Sequence, residues 1–276
     1  MRNIKDTERF LIEKLGYAEN INTMVLAREI SLIENVMSEY EVEKWVKSDL
    51  RRDEITKSIL SDLIHRPVLE DDDHIRIGVG GAMPRSGVIS EKKAVILIGL
   101  PASGKSTVAS KIAEQLGSVI IDSDFAKRKF PEMSFPTGAA WVHKESDKIV
   151  LGDPPSLVTF SMNYSHNLVI PKIGSKPKSI RTLRDILTNV GYEVTLGLVW
   201  LDPIKALKRA IERYQISKRY IPIKKIFDEY GERPSEVYDL IKNDDEWSGF
   251  FKVSTDVDKG SDPIVIESNG LNFLLF

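Results

Sequence analysis

The sequence predicts an α/β fold: a parallel sheet covered by helices on both faces and preceded by a small N-terminal helical bundle. Three observations predict it. From Lys93 onward, short Val/Ile/Leu runs alternate with longer amphipathic stretches. A glycine loop joins the first of these runs to a helical pattern. The first 65 residues hold no proline and one glycine and are rich in Glu, Leu, Ile, Lys and Arg. Continuous apolar strands separated by helices imply a sheet buried on both sides. At 276 residues the chain exceeds one average domain.

In residues 1–65, Leu26, Ile30, Ile33 and Met37 recur at helical spacing, as do Val42, Trp45 and Val46 followed by Ile59, Leu60 and Leu63. Gly16 marks a helix end, and the stretch from Asn20 to Thr23 marks the next start. The pattern predicts helices near 5–15, 22–38 and 40–65, the last broken around Arg51-Arg52-Asp53. With 10 basic and 13 acidic residues this bundle carries a net charge of -3. Residues 66–92 then lose periodicity. Asp71-Asp72-Asp73, Gly78-Val79-Gly80-Gly81 and Pro84-Arg85-Ser86-Gly87 read as a linker. No helical pattern follows Gly81, so this glycine cluster is not a phosphate loop.

The third region, 93–276, supplies the sheet. Its expected strands are Ala94–Leu100, Val119–Ile121, Leu168–Ile170, Val194–Leu201, Phe250–Val253 and Ile264–Ile266. Helical patterns lie between them at Thr107–Leu116, Ser179–Val190 and Pro203–Tyr214.

Composition removes several function classes. Lys plus Arg is 39 against 41 Asp plus Glu, a net charge of -2, so the basic surplus of a nucleic-acid binder is missing. Without cysteine there are no disulfides, thiolate metal sites or cysteine nucleophiles. The four histidines (His65, His74, His143, His166) show no metal-ligand spacing. The first residues lack the apolar core of a secretory leader. The longest apolar run falls far short of the ~20 residues that span a bilayer. The expectation is a cytoplasmic protein with no membrane partner.

The motif that carries chemistry is Gly99, Leu100, Pro101, Ala102, Ser103, Gly104, Lys105, Ser106, Thr107. It fits G-x-x-x-x-G-K-[ST] between an apolar strand and a helix, the setting of a P-loop NTPase. Its glycines let backbone N–H groups face phosphate oxygens, and the helix start adds its positive dipole end. Lys105 would reach the β- and γ-phosphates of ATP, and the Ser106 hydroxyl would ligate Mg²⁺. A GTPase would add Asn-Lys-x-Asp, which the sequence lacks. Asp122 and Asp124 end the strand at Val119–Ile121, expected beside the loop strand, where an acid can take a proton or hold the metal. Asp202 ends another strand in a Walker-B-like pattern, although Pro203 behind it also suits a helix cap. Farther on, Arg213 and Arg219 are either a solvated face or lid arginines over the transferring phosphate.

Together these residues resemble the zeta-toxin family of P-loop kinases, best known as UDP-N-acetylglucosamine kinases. The resemblance covers roughly residues 93–245. It rests on Gly99–Thr107, Ile121-Asp122-Ser123-Asp124-Phe125, Val142–Glu145, Asn167–Ile170, Gly191–Val194, Glu212-Arg213-Tyr214 and Lys218–Pro222. It implies transfer of the ATP γ-phosphoryl group to a hydroxyl of a UDP-activated amino sugar, depleting cell-wall precursors. By that likeness Asp124 is the base, Lys105 the loop lysine, Arg213 and Arg219 the ATP-clamping arginines, and Asp122 a supporting residue.

Many members follow the Asn167–Ile170 strand with Glu-Gly-Thr and a basic residue. This chain has Pro171-Lys172-Ile173-Gly174-Ser175-Lys176 instead; Lys172, Ser175 and Lys176 are either a solvated loop or contacts to an anionic acceptor, and Glu145 is a further candidate acceptor contact. Family toxins are commonly held inactive by a separate three-helix epsilon antitoxin. A bundle of similar size on the same chain therefore suggests inhibition in cis by residues 1–65, tethered through 66–92. A stabilising or oligomerising appendage is the other reading. The alternatives for the whole chain are another small-metabolite or polynucleotide kinase, or an ATP-hydrolysing nucleotide switch.

Overall fold

The computed structural model describes residues 3–39, 50–258, 260–271 and 273. The predicted helical positions Val42, Trp45 and Val46 lie outside the described residues. Helix α1 (Ile4–Leu15) starts on Asn3, whose Oδ1 accepts from Asp6 N at 2.8 Å. It ends at Gly16, whose φ of 70° is open to glycine without a Cβ penalty. Helix α2 (Ile21–Glu39) starts behind Asn20, whose Oδ1 accepts from Thr23 N at 3.0 Å. The two helices pack on each other and share a buried Ser31 Oγ to Thr7 Oγ1 hydrogen bond of 3.0 Å. Leu11, Leu15, Leu26, Ala27 and Ile30 form a core with Leu207, Ala210, Ile211 and Tyr214, and with Tyr220 and Ile223 beyond them. Burying each such leucine or isoleucine contributes about 1.5–3 kcal/mol.

Helix α3 (Leu50–His65) goes elsewhere, and runs unbroken through Arg51, Arg52 and Asp53. Its Ile59 and Leu63 enter the core under the sheet. The expected single bundle is therefore two pieces, α1–α2 and α3, on different parts of the molecule. The stretch 66–92 is likewise no free linker. Val68, Ile75 and Ala82 are buried, and Pro67 bridges Met83. A Cβ on Gly81 would fall 2.3 Å from the Arg66 carbonyl oxygen, so this close approach requires glycine. One cation explains the packing. The Lys129 ammonium is buried and donates to Asp62 Oδ2 of α3 at 3.0 Å. It also donates to the carbonyls of Arg76, Val79 and Gly80 at 3.0, 3.1 and 2.6 Å. Glycine and proline here shape a loop around a lysine.

The sheet is built from β1 (Lys93–Ile98), β2 (Val119–Ile120), β3 (Leu168–Lys172), β4 (Glu193–Trp200), β5 (Gly249–Ser254) and β6 (Ile264–Asn269), in the order β2-β3-β1-β4-β5-β6. The first five are parallel, with Val95 level with Val169 on one side and Thr195 on the other. Their near-continuous burial explains the unbroken apolar runs. Two expectations change. Strand β6 is antiparallel to β5, which the length of its connection allowed but its composition did not announce. Strand β2 does not lie beside the loop strand, because β3 stands between it and β1.

Around the sheet lie α4 (Lys105–Leu116), α5 (Ser123–Lys127), α6 (Gly138–Trp141), α7 (His143–Leu151) and α8 (Leu157–Asn163). They are followed by α9 (Pro177–Asn189), α10 (Pro203–Ser217) and α11 (Arg233–Ile241). Helix α3 packs on α5, α7 and α8, whereas α1 packs on α10. The carboxyl ends of β1, β2 and β3 face one cleft, the position where open α/β sheets bind ligands.

Candidate active site

The phosphate loop runs from Gly99 into α4. Ala102 and Gly104 are left-handed, with φ of 61° and 85°. Gly104 caps α4 without a side chain, so the first-turn N–H groups have no side-chain acceptor. The loop is fastened from behind: Thr255 Oγ1 donates to the Ser103 carbonyl at 2.7 Å, and a Cβ on Gly104 would meet Thr255 Cγ2 at 3.1 Å. Lys105 Nζ donates to the carbonyls of Gly99 at 2.8 Å and Leu100 at 2.5 Å. Burial brings its pKa down to about 8, against the pull of Asp122 and Asp124. Ser106 and Thr107 stand exposed on the first turn of α4.

Two carboxylates follow β2. Asp122 caps α5, its Oδ1 accepting from Asp124 N at 2.8 Å. Burial raises its pKa, and the Asp124 charge adds to the rise. Asp124 moves the other way. Burial alone would raise it, yet Arg219, Lys127 and Arg128 hold it well below the usual carboxylate range. Its Oδ1 accepts from Lys127 Nζ at 2.8 Å, and its Oδ2 accepts from Arg219 Nη2. Arg213, on α10, is half-buried, and its Nε is buried without a hydrogen bond. Burial, helped by the neighbouring Arg219 charge, lowers its pKa to about 10.

Asp122, Asp124, Lys105 and Arg219 all line a cleft of about 520 Å³. It is also lined by the expected Lys172, which ends β3, by the expected Ser175 in the stretch that follows, and by His143 and Asp147 of α7. Burial lowers the Lys172 pKa, opposed by Asp147 and Asp122. Glu145 is placed differently from the expected acceptor contact. Arg52 of α3 takes both its oxygens, through Nε at 3.0 Å and Nη2 at 2.6 Å. Asp202 is a helix cap: its Oδ1 accepts from Ile204 N at 2.9 Å and Lys205 N at 3.1 Å.

Sequence reasoning missed three participants. Lys127 lies three residues after Asp124, a helical spacing that could have revealed it. Glu34 and Met37 of α2 carried no local signal. Met37 lines the cleft. Glu34 Oε1 accepts from Tyr220 OH at 2.6 Å and from Ile223 N at 3.1 Å, fastening α2 to the segment that carries Arg219.

The arrangement offers unspent backbone donors, a lysine and two arginines beside an ionised carboxylate. That is the chemistry of moving a phosphoryl group. The zeta toxin family model matches residues 87–248. No curated protein matches the chain in sequence. Among solved structures, one described as the PezAT chromosomal toxin-antitoxin system of Streptococcus pneumoniae shares 17% identity at a TM-score of 0.56. That match covers 82% of this chain and 84% of the other. An AvrRxo1-ORF1:-ORF2 crystal structure with ATP shares 18% identity at a TM-score of 0.45, covering 78% of this chain and 64% of that one. A gluconokinase from Sinorhizobium meliloti 1021 shares 18% identity at 0.36, covering 60% and 84%. The first of these likenesses is one of fold.

Proposed function

The chain belongs to the zeta-toxin family of P-loop kinases, and from that premise we propose that it transfers the γ-phosphate of ATP to a hydroxyl of a UDP-activated amino sugar such as UDP-N-acetylglucosamine. The observation that carries this reading is Asp124, ionised and held between Lys127 and Arg219 in the first turn of α5, in one cleft with Lys105. Phosphoryl transfer needs positioning and charge neutralisation more than a strong base. Asp124 accepts the proton of the acceptor hydroxyl and aims its oxygen. Lys105 neutralises the β- and γ-oxygens, while Arg213 and Arg219 meet the charge spread over the transferring group.

The residues fit ATP and Mg²⁺. The orphaned Arg213 Nε and the head of α4, free of a side-chain cap, are donors suited to phosphate oxygens. Ser106 would hold Mg²⁺, with Asp122 as the supporting carboxylate, and the ion would supply positive charge to the phosphate oxygens. Lys172 and Ser175 contact the acceptor in this reading. Cell-wall precursor depletion would make the chain toxic inside the cytoplasm. No described helix is long and apolar enough to cross a membrane. Helices α1 and α2 act as a restraint in cis, supported by the Glu34 hydrogen bonds and by Met37 in the cleft.

A second reading, a kinase for another small metabolite, is favoured by the Pro171–Lys176 stretch, which departs from the Glu-Gly-Thr of many members. One experiment addresses both. The purified chain with labelled ATP is offered UDP-N-acetylglucosamine, other UDP-sugars, nucleosides and dinucleotides. Label is expected on the UDP-amino sugar, and Asp124→Asn should cut its transfer by roughly 10²–10⁴-fold while ATP still binds. Label only on a different acceptor would replace the substrate assignment. Full activity in Asp124→Asn would remove the proposed base.

A further inference from the structure

One guanidinium, on a helix outside the stretch that matches the family, holds three parts of the acceptor side of the cleft. Arg52 stands in the first turn of α3 and is 5% exposed. Its Nη1 donates to Glu132 Oε1 at 2.8 Å. Its Nε and Nη2 donate to the two oxygens of Glu145. Its Cζ lies 4.4 Å from the centre of the Phe130 ring. Phe130 follows α5, the helix of Asp124 and Lys127. Glu132 lies in the 3₁₀ turn Pro131–Ser134, which leads directly into Pro136, Thr137, Ala139 and Ala140 of the cleft wall. Glu145 belongs to α7.

Helix α7 carries the grip across to the cleft. His143 and Asp147 are one helical turn apart on the same face, 3.6 Å from each other, and both line the cleft. Glu145, midway between them, projects from the opposite face. A two-pronged arginine–carboxylate pair fixes orientation as well as distance. Holding one face of this short helix therefore sets the rotation and depth of the other. The Glu132 Oε2 atom is buried without a hydrogen bond. A buried carboxylate that loses its cation must protonate or move.

We infer that Arg52 is a positioning residue for the acceptor, acting through Glu145 and Glu132 to set His143, Asp147 and the 136–140 wall beside Asp124. The inference rests on reading this cleft as the acceptor site of a kinase, and not on which acceptor it takes.

The test uses the full chain carrying Arg52→Met, Arg52→Lys or Glu145→Gln. With UDP-N-acetylglucosamine as acceptor probe, Arg52→Met should raise the acceptor KM on the order of tenfold and leave the ATP KM within about twofold. Arg52→Lys keeps the charge without the fork and should fall between. Glu145→Gln added to Arg52→Met should change little more. A second readout needs no acceptor. Burial, then Lys127 and Lys225, hold the His143 pKa below its ordinary value against Asp147 and Asp124. With four histidines in the chain, NMR can follow this ring, assigned through His143→Gln. Its titration should move back toward the ordinary value in Arg52→Met. Equal changes in both KM values, or an unmoved His143 titration in folded Arg52→Met, would overturn the role. A wild-type chain that transfers nothing to the probe sinks the acceptor assignment alone, and the His143 titration still decides for or against Arg52.

Discussion

Lys105 is held by two carbonyls of its own loop, and burial has brought its pKa to about 8. The charged form, which would neutralise phosphate oxygens in the proposed reaction, dominates below that value and is lost above it. In the free protein, affinity for a fluorescent ATP analogue should fall as pH rises through about 8. Lys105→Arg, which stays charged, should flatten that limb. An affinity unchanged across this range in the wild type would remove Lys105 as the titrating contact. At this scale much was legible in the sequence. Gly99, Gly104, Lys105 and Ser106 form a contiguous pattern dictated by backbone geometry. Arg52 and Glu34 were illegible, because their partners Glu145 and Tyr220 are 93 and 186 residues away. Nothing near either residue marks it as more than one charge on an amphipathic helix.

Helix α2 is fastened to the arginine-bearing segment by an exposed Glu29–Lys218 ion pair of 3.6 Å and by the Glu34 carboxylate. Removing that carboxylate in Glu34→Ala takes one acceptor from the Tyr220 hydroxyl and the Ile223 N–H, a loss of about 0.5–1.5 kcal/mol for each hydrogen bond. Faster amide exchange over residues 218–223 is expected, together with higher phosphotransfer turnover if α2 restrains the segment. Lower turnover would instead make α2 its support. Helix positions were readable because the 3.6-residue period is local, and α1 and α2 fall within one residue of the expected 5–15 and 22–38. Strand order was not, because neighbouring strands are chosen by packing across the whole sheet. The misplacement of β2 and the antiparallel β6 both arise there.

At the scale of the molecule, the family match begins at residue 87, but the packed unit begins earlier. A fragment starting at Gly87 would leave the Lys129 ammonium without Asp62 and three carbonyls, and would strip Ile59 and Leu63 from the core. Breaking a buried ion pair alone costs about 3–5 kcal/mol, against a typical total stability of about 5–15 kcal/mol. Such a fragment should be insoluble or melt far below the full chain in thermal unfolding. An unchanged melting temperature would contradict the integral role of α3 and 66–92. Glycine, proline and clustered charge made that stretch look like a tether because composition does not distinguish a free loop from one folded around a lysine. The strand order has a last consequence. Neighbouring strands stand about 4.8 Å apart, so interposing β3 sets the axes of β1 and β2 roughly 10 Å apart. In the proposed reaction that interval would separate the donor side from the acceptor side, and Lys172, the final residue of β3, lines the cleft between them.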